Sequence, residues 1–406
     1  MNNRFFKKTM RDVTLDGKTV LVRADYNVPL QSDGSIKDDY RVRCSIPTVS
    51  ALLDRGCTVV LMSHLGRPNG QRNPSMSLEP VAQRLSELLD RPVAFVHDCV
   101  GDTVTAAAAQ AAPGSVLLLE NLRFYPEEEA NDPVFAEQVA RSSRAAYFVQ
   151  DGFGVVHRAH ASTSAITQFL PSVAGLLLEK EYATITKAVE SPERPLVAIL
   201  GGAKISDKIG VVQRFVEIAD KVIVGGAMAN TFLRYKGLPV GKSLVEDGQE
   251  QTLQAIYEAA SKKAGEAVDD FVVLPSDVAV AVSTDGERQE KGISDVTDDD
   301  MILDCGSATA ERFARELEHA RTVVWNGPVG YTENPQFAAG SARLADALAA
   351  RPDITSVVGG GDTADFVLHW DAEKAARLTH ISTGGGASLE LMAGEPMPGV
   401  EALMDA

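Results

Sequence analysis

The chain has 406 residues, with 39 Lys and Arg against 56 Asp and Glu, for a formal net charge of −17. Hydrophobic residues at 45% and charged residues at 23% exclude a mainly disordered chain. The acidic balance argues against a nucleic-acid binder or a coat for anionic membranes, and on its face against an anionic substrate.

At roughly 150 residues per domain the length suggests two or three domains. The basic start, Met1 to Lys8, has no apolar segment behind it and does not read as a secretory signal. No apolar run approaches the ~18 residues of a spanning helix. Cys44, Cys57, Cys99 and Cys305 stand singly, without metal spacing, which fits reduced thiols in a cytoplasm.

In chain order, five apolar runs read as strands in the first half: Thr19–Val22, Thr58–Met62, Val93–Val96, Val116–Leu119 and Ala145–Val149. Six follow in the second: Leu196–Leu200, Lys221–Val224, Phe271–Leu274, Thr322–Trp325, Thr355–Val358 and His380–Ser382. Stretches between them, such as Leu78–Leu89 and Ser206–Ala219, carry apolar residues at helical spacing. Apolar strands alternating with helices predict parallel sheets covered on both faces. Eleven strands are too many for one doubly wound sheet and fall into two sets. Gly175–Ser191 reads as a connecting helix, and Ser191–Pro195 breaks the chain before the next strand. The expected domains are 1–180 and 181–391. Thr103–Ala112 reads as an alanine-rich helix, and the acidic stretch Thr284–Asp300 as a solvated excursion.

Glycines cluster where second-half strands end: Gly201-Gly202, Gly225-Gly226, Asn326-Gly327-Pro328, Gly359-Gly360-Gly361 and Gly384-Gly385-Gly386. In an open α/β sheet these ends form the ligand crevice, where glycine lets backbone N–H groups approach phosphate oxygens and a following helix adds its dipole. The usual fingerprints fail. Gly237–Ser243 is one residue short of a Walker A loop and follows no clear strand, so it reads as an ordinary loop. Gly152-Phe153-Gly154 lacks the third glycine of a dinucleotide motif, which disfavours a nicotinamide enzyme. Lys204 follows the first glycine pair, and Lys208 four residues on is expected on the same helix face. Asp362 reads both as a helix N-cap and as a hard carboxylate for Mg²⁺ beside phosphates.

First-half strands end instead in basic and polar groups. Arg23-Ala24-Asp25-Tyr26-Asn27, Ser63-His64-Leu65-Gly66-Arg67, Glu120-Asn121-Leu122-Arg123 and Asp151 to His160 each follow a strand. With Arg41 they place five arginines (23, 41, 67, 123, 158) near one sheet edge, where the planar guanidinium suits carboxylate and phosphate. His157 and His160 offer two metal ligands without a third. A small anionic substrate is the better reading. The net charge then describes the outer surface and hides a basic pocket, with carboxylates such as Asp298-Asp299-Asp300 outside it.

These segments, with Trp325–Gly330, Gly359–Thr363 and Ser382–Ser388, resemble the phosphoglycerate kinase family, in the family's order and over essentially the whole chain. The resemblance implies an α/β fold of two Rossmann-like domains, each a mainly parallel sheet covered by helices, joined by a hinge helix, with 392–406 packing back on the first. It implies a cytoplasmic, monomeric glycolytic enzyme that moves a phosphoryl group between 1,3-bisphosphoglycerate and ADP, giving 3-phosphoglycerate and ATP, with Mg²⁺. By motif position, Arg23, Asp25, Asn27, Arg41, His64, Leu65, Gly66, Arg67, Arg123 and Arg158 would hold the glycerate. Lys208, Asn326, Pro328, Glu333, Gly360, Gly361, Asp362 and Thr363 would meet the nucleotide, with Asp362 serving Mg²⁺. Lys204 and Arg41 would stabilise the phosphoryl group in flight. The chain departs from the family pattern at Ile302, at Tyr331-Thr332 before Glu333, and at Gly152 with Val155-Val156.

Overall fold

The computed structural model describes residues 5–406. The chain divides into two compact units, one running to Ala183 and taking in Pro396–Ala406, the other Thr184–Glu395. The helix Leu176–Glu190 carries the chain across the boundary. Among the described residues no helix is long and apolar enough to cross a membrane.

The first unit is built on β1 (Thr19–Arg23), β2 (Thr58–Met62), β3 (Val93–Val96), β4 (Val116–Leu119), β5 (Tyr147–Gln150) and β6 (Ser172–Ala174). They form one parallel sheet in the order β3-β4-β2-β1-β5-β6. β2 and β4 are buried along their whole length, as strands covered on both faces must be. β2 and β5 flank β1, so the connections change side between β1 and β5, the kind of place where α/β sheets open a ligand crevice.

The second unit carries β7 (Leu196–Leu200), β8 (Lys221–Val224), β9 (Val272–Val273), β10 (Asp277–Ala281), β11 (Gln289–Gly292), β12 (Met301–Cys305), β13 (Thr322–Asn326), β14 (Thr355–Gly359) and β15 (His380–Ile381). Its main parallel sheet runs β15-β14-β13-β7-β8-β9, with the change of side between β7 and β13. A separate antiparallel sheet runs β11-β10-β12.

The two covered parallel sheets match the expected fold class, but four strands escaped the sequence pattern. β6 has only three residues, and β10 to β12 form an antiparallel element that the parallel scheme left out. β11 lies inside the acidic stretch expected to be a solvated excursion. Its residues Gln289, Glu290 and Gly292 are exposed, so only pairing with β10 makes it a strand. That stretch also ends in a buried carboxylate. Asp300 pairs with Lys291 at 2.7 Å and accepts the Thr297 N–H at 2.7 Å, so it is structural and not part of an outer carboxylate shell.

The C-terminal segment is tied into the first unit. Lys8 N–H donates to Met404 O at 2.8 Å, Met404 N–H to Ser172 O at 3.0 Å, and Gly399 N–H to Val156 O at 2.9 Å. The buried Lys7 ammonium meets the Asp405 carboxylate at 2.6 Å and the Glu401 carbonyl at 2.8 Å.

Candidate active site

Arg23 ends β1 and is completely buried. Its Nε donates to Ser162 Oγ at 2.7 Å, and Nη2 lies 3.2 Å from His64 Nδ1 and 3.9 Å from Glu128 Oε1. Ser162 Oγ in turn donates to Glu128 Oε1 at 2.5 Å, and its N–H to Glu128 Oε2 at 3.0 Å. Burial pulls the Arg23 guanidinium down and pushes the Glu128 carboxyl up, while their mutual attraction opposes both. His64 sits after β2 and is held well below the usual histidine range, first by burial and then by Arg23, Arg123, Arg41 and His160. It is a neutral ring among cations.

Around this core the remaining groups converge. Arg41, on the helix Tyr40–Asp54, donates to Asp25 Oδ2 at 3.0 Å and to Asn27 O at 3.2 Å. The Gly66 N–H donates to Asn27 Oδ1 at 2.9 Å, and Arg123 Nη1 donates to Gly66 O at 2.9 Å. Asn121 clamps the same loop: Leu65 N–H donates to its Oδ1 at 3.2 Å, and its Nδ2 donates to Leu65 O at 2.7 Å. The structure therefore gathers Arg23, Asp25, Asn27, Arg41, His64, Leu65, Gly66 and Arg123. Arg67 and Arg158 are exposed, and Arg158 contributes to the positive field felt by Arg123. Burial and Arg158 also hold His157 down to about 4, and burial with the arginines holds His160 down to about 3. Glu128 had no sequence signal, because it is the middle of three consecutive glutamates and only its environment separates it from the others.

The second unit uses backbone where the first uses side chains. Gly201 and Gly202, after β7, donate to Asn326 O and Pro328 O, both at 2.9 Å, so the loops on either side of the β7–β13 change of side are laced together. A Cβ on Gly201 would lie 2.2 Å from Pro328 O. Gly327 has φ +95°, and a Cβ there would meet Gly201 O at 2.1 Å and Lys208 Nζ at 2.6 Å. Only glycine fits that turn and leaves room for the lysine. Lys208 Nζ donates to Gly201 O at 2.8 Å, and burial lowers the ammonium to about 8 against the opposing pull of Asp362. Thr363 Oγ1 accepts the Gly327 N–H at 2.7 Å, joining the β13 and β14 loops.

Asn326 is fully buried beside Gly359 and Gly360, and neither of its amide atoms finds a partner among the described residues. Leaving such groups unpaired costs roughly 1–3 kcal/mol each. Glu333 and Asp362 share a cavity of about 580 Å³ with Thr332, Pro335, Phe366 and Trp370. Tyr331 packs against the buried cluster of Ala279, Ala281 and Phe337, and its N–H donates to Leu303 O at 2.7 Å.

Two expectations fail here. Lys204 and Lys208 do not share a helix face, because the chain makes a 3₁₀ turn over Ser206–Lys208 and the helix begins only at Ile209. Lys204 stands exposed before that turn, with Glu246 in its field. Asp362 is not an N-cap: Gly360 holds that position, and Asp362 lies in the first turn of the helix Gly361–Trp370. There its charge still complements the helix dipole.

A buried arginine pocket in one unit and a glycine-laced loop set in the other, each at the carboxyl ends of a parallel sheet, define an α/β protein with two candidate sites. The phosphoglycerate kinase family model matches residues 10–395. Phosphoglycerate kinase of Moorella thermoacetica is 49% identical over 401 residues, covering 98% of this chain and 99% of that protein. That of Chlorobium luteolum is 48% identical over 403 residues, with 98% and 99% covered. The solved structure of phosphoglycerate kinase from Coxiella burnetii superposes with a TM-score of 0.83 at 35% identity, covering 98% of each chain. The chain belongs to the phosphoglycerate kinase family.

Proposed function

We infer that this chain is a kinase that reversibly transfers a phosphoryl group between 1,3-bisphosphoglycerate and ADP, giving 3-phosphoglycerate and ATP in glycolysis and gluconeogenesis. The observation that carries the reading is the gathering of Arg23, Arg41, Arg123 and His64 behind the β1, β2 and β4 ends of a chain whose net charge is −17. That pocket recognises a small, doubly anionic molecule. On this reading the first unit binds the glycerate through Arg23, Asp25, Asn27, Arg41, His64, Leu65, Gly66, Arg67, Arg123 and Arg158. The second unit binds the nucleotide through Lys208, Asn326, Pro328, Glu333 and Gly360 to Thr363, and the unpaired Asn326 amide supports it.

The acceptor is a carboxyl group. A carboxylate is already ionised at neutral pH, so transfer needs no general base from the protein; it needs alignment and neutralised charge on the moving oxygens. Arg41 and Lys204 supply that charge. Lys204 is exposed and so free to reach a phosphoryl oxygen, whereas Lys208 is spent on the glycine loops and fixes their shape. Asp362 is the residue that would hold Mg²⁺. Asp362 stands in the first turn of its helix just after the Gly359–Gly361 loop, which fits the way Mg²⁺ is held by one or two carboxylates together with substrate phosphates. When bound there, the ion would neutralise phosphate charge. The four free cysteines fit a cytoplasmic enzyme, which we read as a monomer.

The test is turnover of Mg-ATP with 3-phosphoglycerate, the acyl phosphate being consumed by a coupled dehydrogenase. Steady oxidation of the reporter cofactor is expected. Its absence, with both ligands bound, would make the chain a silent binder.

A further inference from the structure

The arginine pocket rests on a carboxylate that faces no solvent. Glu128 lies on the four-residue turn of helix Pro126–Glu129, between the exposed Glu127 and Glu129, and is itself fully buried. Both its oxygens are committed to Ser162, one to the hydroxyl and one to the N–H, and its backbone carbonyl accepts the Ala161 N–H at 2.9 Å. Ser162 Oγ has its proton on Glu128 and its lone pair on Arg23 Nε. Arg23 then reaches His64 Nδ1 with Nη2. A guanidinium has only donors, so Nδ1 must be the acceptor, and the ring's only proton is on Nε2.

We propose that Glu128 is a positioning residue for the glycerate pocket: acting through Ser162 and Arg23, it fixes His64 as a neutral ring protonated at Nε2, ready to donate one hydrogen bond to the anion. The proposal deepens the kinase reading and rests on it for the identity of the anion. The chain of contacts explains why a carboxylate is kept under a site that binds anions. Without it, Arg23 would be a buried cation whose nearest carboxylate had gone; Ala24 O and Ser63 Oγ would still hold Nη1, but the Ser162 hydroxyl beneath Nε would lose its acceptor. With it, the charge of the pair is balanced inside the protein, and Arg41, Arg67 and Arg158, which are less buried, remain to meet the ligand. The alternating order of acceptor, hydroxyl, donor and ring leaves no ambiguity about where each proton lies.

The experiment combines ¹⁵N-detected NMR of the His64 ring at pH 7 with steady-state kinetics of the full chain. Wild type should show one neutral ring with its proton on Nε2. Ser162→Ala, which keeps both Glu128 and Arg23, should give a mixture of tautomers. It should also raise KM for 3-phosphoglycerate about tenfold, the size of one lost charge-assisted hydrogen bond, with KM for ATP within about twofold of wild type. Glu128→Gln should do the same with a larger effect; if it fails to fold, Ser162→Ala decides alone. A wild-type ring protonated on Nδ1, or doubly protonated, would overturn the proposal, as would a Ser162→Ala enzyme with unchanged tautomer and unchanged KM. The ring is read without substrate, so failure of the kinase reading would show separately, as no turnover by wild type.

Discussion

The two units build the carboxyl ends of their parallel sheets with opposite materials. In the first, the positive charge is on side chains: Arg23 is buried, Arg123 nearly so, and each is held by named partners such as Ser162 and Gly66. In the second, the loops are laced by backbone, with Gly201 and Gly327 packed so tightly that an added methyl group would collide with a carbonyl. Buried charge has to be compensated, so the first pocket ties binding to stability. The glycine loops of the second are held by uncharged backbone bonds that need no counterion.

The sharpest way to break this contrast is Arg23→Met, which fills similar volume but strands Glu128. Destabilisation of about 3–5 kcal/mol in urea unfolding is expected, partly recovered by adding Glu128→Gln. An equally stable single variant would remove the coupling claimed for the first unit. Lys204→Ala tests the other side. It should lower kcat by about 10²–10³ through lost charge on the moving phosphoryl group. Because Lys204 is exposed, the melting temperature should stay within a degree or two. A collapse in stability with modest kinetic loss would assign it a structural part.

The pH dependence should separate the units further. Asp151, after β5, is fully buried and accepts the Leu177 N–H at 2.9 Å; burial raises its carboxyl to about 7 from an ordinary 3.8. Between those values the folded state holds a proton that the unfolded chain has released. Its contribution to stability is therefore fullest near pH 4 and is lost as the pH rises to about 7. Asp151→Asn should remove that slope, so the variant gains on wild type by on the order of 2 kcal/mol from pH 4 to pH 8 in unfolding titrations. Parallel curves for the two proteins would show that Asp151 ionises normally. The smallest effect belongs to Asp362→Asn, which should raise KM for Mg-ATP about tenfold and leave KM for 3-phosphoglycerate alone. Equal loss for both ligands would contradict an assignment to the nucleotide side.

The sequence was most informative where chemistry follows directly on an apolar run. Arg23, His64 and Arg123, like the glycines after β7, β13 and β14, stand next to strands whose composition announces them. Where a residue's meaning depends on distant chain, the pattern is silent. Glu128 acquires its role from Ser162 and Arg23, far away in sequence, and β11 exists only because β10 offers it an edge. Spacing also misled where it presumed a helix: the i, i+4 argument for Lys204 and Lys208 fails because the chain enters the helix through a 3₁₀ turn. The capping reading of Asp362 missed by two positions, since glycine at 360 already makes the turn.

The return of the C-terminal segment has a temporal meaning. Gly399 bonds to Val156, one residue ahead of His157 and two ahead of Arg158, and Met404 ties together Lys8 and Ser172. A nascent chain emerging from the ribosome thus completes Thr184–Glu395 while the earlier-made unit still lacks its last piece. The unit synthesised first is the one finished last. A polypeptide truncated before Pro396 would keep the candidate residues of both units and lose the brace that Gly399 gives the segment just ahead of Arg158.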